Sequence, residues 1–156
     1  MPRTDTAARE VAAAPDSVYA AFVDPDALLV WLPPAGMRAA FERFDARPGG
    51  SYRMVLSYED PAASPGKRGD GTDAVEARFV ELVPGERVVQ DIDFESPDPA
   101  YRGTMRMTWR VSAGTGGPNS SRVEIRAENV PSGISAAEHA VGLASSLANL
   151  ARMLET

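Results

Sequence analysis

The sequence predicts an α+β fold, in which a curved antiparallel sheet of about six to seven strands wraps a long C-terminal helix, with two short helices after the first strand. Three observations carry this. From Phe41 to Val130 apolar residues return at every second position, segment after segment, with Pro- and Gly-rich turns between them. After Pro131-Ser132-Gly133 the period changes to three and four residues and stays there to Leu154. Between residues 15 and 34, prolines mark helix starts and a helix stop.

Taken in order, Thr6 to Ala13 reads as a first strand, with Arg9 and Val11 on one side and Glu10 on the other. Pro15 fits a first helical residue, where its missing N–H costs nothing, and Val18, Tyr19 and Phe22 give that short helix an apolar side. Asp24 is the N-cap and Pro25 the first residue of a second helix through Leu28, Leu29, Trp31 and Leu32, which Pro33-Pro34 ends. Phe41 and Phe44 cannot share a face of a regular strand, so a bulge is expected there.

Pro48-Gly49-Gly50 turns into a strand whose Tyr52, Met54, Leu56 and Tyr58 alternate with polar residues. Asp60 to Gly71 has the composition of a flexible loop. Strands follow at Ala74 to Val83 and, past Pro84-Gly85-Glu86, through Val88, Gln90, Ile92 and Phe94. The clearest alternation sets Met105, Met107, Trp109 and Val111 inward against Thr104, Arg106, Thr108 and Arg110. Val123, Ile125 and Ala127 repeat it in the last strand. Ala136, Ala140, Leu143, Leu147, Leu150 and Leu154 form the inner stripe of a final helix of about five to six turns. Outside the sheet, acidic Asp91, Asp93 and Glu95 are expected near Arg106 and Arg110 on the neighbouring strand.

The 156 residues suit a single domain, 1–156, large enough to bury a core without staples. There is no cysteine, which removes disulfides, thiolate metal sites and a cysteine nucleophile. The first ten residues hold no apolar run of a signal peptide, and no stretch reaches a membrane span, so the chain reads as cytoplasmic. With 16 Lys+Arg against 22 Asp+Glu, the net charge of −6 repels phosphate backbones and argues against nucleic acid.

Four strings in this order resemble the START-like superfamily, also called SRPBCC, whose fold is the helix grip. They are DPDALLVWLPP (Asp24 to Pro34), FDARPGGSYRM (Phe44 to Met54), FVELVPGERVV (Phe79 to Val89) and AAEHAVGLASSLANLARMLE (Ala136 to Glu155). The nearest likeness is to the Hsp90-ATPase-activator-like and polyketide cyclase-like branch. That branch often has a second tryptophan after the one in the short helix, and another after the glycine of the last helix. Trp31-Leu32 and Gly142-Leu143 stand at those places here, so the pocket is not carried over. The resemblance implies a ligand-binding fold, and the branch spans co-chaperones, cyclase-like proteins and toxin-resistance proteins.

Trp31, Tyr52, Met54, Phe79, Phe94, Met105, Met107 and Trp109, with Leu143 and Leu147 of the helix, either line a pocket or fill the core. Gln90, in phase with apolar neighbours, is a polar contact in that pocket or lies at the sheet's edge. His139, the only histidine, either meets a ligand or is satisfied by the backbone or solvent. Arg47 reads as a structural residue of its hairpin.

No catalytic or metal-ligating set is assigned, and no cofactor is implied: no serine stands in a nucleophile elbow, and one histidine with carboxylates makes a poor zinc site. The leading expectation is a binder of a small apolar or aromatic molecule. A cyclase- or hydrolase-like enzyme using His139 and a chaperone-interaction module are the alternatives, and so small a domain is compatible with a homodimer.

Overall fold

The computed structural model describes residues 2–60, 62, 64 and 66–155. Its strands are β1 (Arg3–Val11), β2 (Met37–Phe44), β3 (Ser51–Tyr58), β4 (Thr72–Val83), β5 (Arg87–Glu95), β6 (Thr104–Ala113) and β7 (Ser121–Val130); its helices are α1 (Pro15–Val23), α2 (Pro25–Trp31) and α3 (Ala136–Leu154). Among the described residues the seven strands form one antiparallel, curved sheet in the order β1-β7-β6-β5-β4-β3-β2. Six of them make a meander of sequential neighbours, and β1 joins its far edge beside β7. The helices lie on one face, which buries the alternating apolar residues, while the other face carries charge.

Local chemistry explains the element ends. Pro15 opens α1, and the Asp24 carboxylate accepts from the Asp26 N–H at 2.9 Å to cap α2. Ser135 caps α3 by accepting from the Glu138 N–H at 3.1 Å. The chain between β2 and β3 doubles back tightly at Gly50, where a Cβ would stand 2.3 Å from the Asp45 carbonyl oxygen. Gly85, at φ +76, makes the β4–β5 turn.

The bulge expected near Phe41 is present: the β2–β3 register shifts between Phe41 and Arg43. It turns Phe41 and Phe44 to the same side, their ring centroids 4.9 Å apart and both against Tyr52. A second register shift falls in β4, between Phe79 and Glu81.

Three expectations change. The first strand starts at Arg3 and stops at Val11; Ala13 has left it, and its carbonyl accepts from the buried Ser121 hydroxyl at 2.6 Å. Ala136 and Ala140 are exposed, because α3 meets the core only from Leu143 onward, and alanine tolerates either side. Of the acidic row on β5, only Asp91 pairs with Arg106, at 2.8 Å. Asp93 binds Arg78 of β4, Glu95 binds Arg53 of β3, and Arg110 faces Arg87. The loop expected from Asp60 to Gly71 is irregular chain at its described residues, while residues 61, 63 and 65 lie outside the described residues. Its far end is tied down: Lys67 pairs with the buried Asp73 at 2.9 Å, over the rings of Phe94 and Tyr101 at 5.1 and 5.6 Å.

Candidate functional site on the inner face of the sheet

Two aromatic groups fill opposite parts of the inner face. Toward β6, Phe22, Trp31 and Trp109 meet with centroids 5.2 to 6.0 Å apart. Trp31 is fixed by its indole N–H, which donates to the Ala21 carbonyl at 2.9 Å. Toward β2, Phe41, Phe44, Tyr52 and Phe79 form a second group, with Tyr52 and Phe79 centroids 5.6 Å apart. Met54, Met105, Met107, Leu143 and Leu147 are buried in the same core, and Phe94 packs half-buried at its margin, under Lys67.

Gln90 is the polar exception. β5 lies between β4 and β6, so Gln90 is not at the sheet's edge, and it is fully buried. The Tyr52 hydroxyl donates to its Oε1 at 2.6 Å. Burial pushes the Tyr52 pKa far above the ordinary tyrosine value, which keeps that hydroxyl protonated and able to donate. The Gln90 amide Nε2 and the Trp109 indole Nε1 are both buried and have no hydrogen-bond partner in the structure. A buried donor left unpaired costs about 1–3 kcal/mol, so two on neighbouring strands are a costly arrangement for a core that does nothing else.

His139 does not join this group. Its Nδ1 lies 2.7 Å from an Asp5 carboxylate oxygen, and Asp5 also takes the Arg3 guanidinium at 3.1 Å. Arg3 in turn donates to the Ile134 carbonyl at 2.5 Å, which ties the start of α3 to β1. β1 and β5 are three strands apart, about 14 Å along the sheet, which separates His139 from Gln90. Burial raises the Asp5 pKa, yet its hydrogen bonds from His139 and Arg3, with their charges, outweigh this and leave it below the usual carboxylate value.

Sequence reasoning missed the polar side of α3. Ser146 donates to the Leu32 carbonyl at 2.7 Å, Asn149 donates to the Pro33 carbonyl at 3.0 Å, and Ser145 accepts from the Ala35 N–H at 2.9 Å. These bonds satisfy backbone groups that the abrupt end of α2 leaves open. Two serines and an asparagine one turn apart, interrupting an apolar stripe, were the signal for it.

Two surface grooves lie elsewhere. One of about 460 Å³ is bounded by Arg3, Arg102, Asn129 and Pro131. The other, about 400 Å³, runs over paired charges such as Arg53 and Glu76 on the outer face and touches the expected set only at Phe94. Arg47 pairs with Asp45 at 2.8 Å within its hairpin, in keeping with a structural role. Among the described residues, no three His, Cys, Asp or Glu side chains gather as metal ligands would, and no helix is long and apolar enough to cross a membrane.

A curved antiparallel sheet holding a C-terminal helix is the helix-grip class of α+β protein. Residues 12–155 match the family model of activator of Hsp90 ATPase homolog 1-like proteins, and the chain belongs to that family. It is similar to a crystal structure of a protein from Chromobacterium violaceum, with 32% identity over 99% of both chains and a TM-score of 0.83. A Rhodobacter sphaeroides protein shares the fold at 19% identity, covering 97% of this chain and 92% of that one, with a TM-score of 0.74. So does a protein of the dynemicin biosynthetic locus, at 20% identity over 98% of this chain and 47% of that one, with a TM-score of 0.68. No match is found among the curated proteins.

Proposed function

We propose that this chain binds a small, largely apolar molecule between the inner face of its sheet and the helices, and that it acts by binding rather than by catalysis. The observation that carries the reading is the Gln90 amide: a buried N–H₂ group without a partner, in a largely apolar interior of aromatic and aliphatic side chains. Such an interior, apolar with a few fixed polar groups, is the usual make-up of a small-molecule site. Flexible methionine side chains at Met54, Met105 and Met107 can repack around a guest. Family membership supports the same reading, since the fold is one that accommodates ligands.

The enzyme reading required His139 as the acid–base group, and that ring is engaged by Asp5 three strands away from Gln90. The test is thermal unfolding against a panel of lipophilic and aromatic molecules, with the fluorescence of Trp31 and Trp109 as a second readout. A ligand at 100 times its Kd adds about 2.7 kcal/mol, a rise of about 5–11 °C for a domain of this size. A Leu143→Trp variant, whose larger side chain would compete with a guest for the inner face, should abolish the rise. A panel that shifts neither melt nor fluorescence would refute the reading.

A further inference from the structure

We infer that the bound molecule carries a neutral acceptor oxygen, a ketone or quinone carbonyl, which receives hydrogen bonds from the Gln90 amide and the Trp109 indole together. The inference rests on the binding role proposed above and adds the chemical class of the ligand.

Three features point to it. The first is placement. Gln90 of β5 stands opposite Met107 of β6, and Trp109 follows two residues later on the same strand, so both side chains leave the same face of the sheet. Diagonal neighbours of this kind lie about 7–8 Å apart, with their Cβ atoms somewhat closer, a span that two long side chains can close around one oxygen. The second is the kind of group left unpaired. Both unsatisfied atoms are nitrogens, and an indole nitrogen can only donate. The amide is fixed in the same sense, because its oxygen is already taken by the Tyr52 hydroxyl at 2.6 Å, a length suited to O–H···O. A guest that brought only donors, or no polar atom, would leave both groups as they are.

The third feature is charge. Among the described residues the buried polar side chains are Asp73, Gln90, Ser120, Ser121 and Ser146, with no cation among them. The carboxylate in that set, Asp73 of β4, is already paired with Lys67 at 2.9 Å. A carboxylate or phosphate guest would therefore enter without a counter-charge, whereas a carbonyl carries no net charge to desolvate.

The experiment compares matched pairs that differ by one carbonyl: tetralin with α-tetralone, and fluorene with fluorenone. Each is titrated calorimetrically into the wild-type chain and into Gln90→Leu and Trp109→Phe variants, whose folding is checked by circular dichroism. Expected for the wild type is ketone binding about tenfold tighter than its hydrocarbon. In each variant that ratio should fall toward one while the hydrocarbon still binds. Carbonyl infrared spectra give a readout independent of the variants: the bound ketone's stretch should move to lower frequency in the wild type, as it does on accepting hydrogen bonds. Equal affinity for both members of a pair overturns the acceptor and leaves apolar binding standing. A ketone preference that survives in both variants also overturns it, since the oxygen is then held elsewhere. If no member of either pair binds, the binding role falls and the inference with it.

Discussion

Removing one oxygen, with Tyr52→Phe, tests whether the Tyr52–Gln90 pair is an ordered part of the core. The hydroxyl is buried and donates to Gln90 Oε1 at 2.6 Å. In the variant that oxygen loses its partner while the amide nitrogen already lacks one, so Gln90 becomes a buried amide with both ends open. Losing the bond and stranding the acceptor should cost about 2 kcal/mol, within the range of about 1–3 kcal/mol for such deletions. For a domain near this size that lowers Tm by about 4–8 °C. Gln90→Leu should cost less, because it strands one hydroxyl but removes a nitrogen that was already unpaired. The double variant Tyr52→Phe, Gln90→Leu should be more stable than Tyr52→Phe alone, with a coupling of about 1 kcal/mol. Urea unfolding followed through Trp31 and Trp109 measures all four proteins. A Tyr52→Phe variant as stable as the wild type, or a cycle additive within about 0.3–0.5 kcal/mol, would show that the pair is not formed in solution.

Other predictions concern the supports around this face. Asn149→Ala leaves the Pro33 carbonyl without its partner and should lower stability by about 1–2 kcal/mol, read from the same urea midpoints. Gly50→Ala should be far more damaging, since the new Cβ would overlap the Asp45 carbonyl; loss of soluble, cooperatively unfolding protein is the expected result, and wild-type behaviour would contradict the turn geometry. Asp5 has a folded-state pKa below its unfolded value, so its contribution is present above the unfolded pKa and lost as pH falls through the folded one. The stability margin of the wild type over Asp5→Asn should therefore shrink between about pH 5 and pH 2, because the unfolded carboxylate titrates near 3.9. A margin unchanged across that range would contradict the assignment.

What could be read in advance depended on how far each signal reaches along the chain. The alternation at Met105 to Val111, the Asp24-Pro25 start and the conflict between Phe41 and Phe44 are all local, and each has its counterpart in the structure. Partners across the sheet are not local. A row such as Asp91, Asp93 and Glu95 does not state which flanking strand each residue will use, and β4 and β3 took the two that had been expected on the β6 side. His139 and Asp5 are 134 residues apart in sequence, so their bond had no local trace. For Gln90, its phase among apolar residues marked it as unusual, but only the strand order separates an edge residue from one enclosed between β4 and β6. The bonds from Ser145, Ser146 and Asn149 were likewise hidden, because small polar residues inside a helical stripe read equally well as a weakened apolar face.

The place of β1 has a consequence in time as well as in space. Every other strand pairs with its neighbour in sequence, but β1 pairs with β7, joining Arg3 to Val130 and Val11 to Ser121. During synthesis β1 emerges first, and it stays without its hydrogen-bonding partner until more than a hundred further residues have been made. The Arg3–Asp5–His139 contacts that hold it from the other side come later still, with α3. Closing so long a loop is entropically costly, so docking of β1 should belong to the late, slow part of folding. The six-stranded meander is then the species that has to survive alone, with β7 an open edge until its first-made neighbour returns.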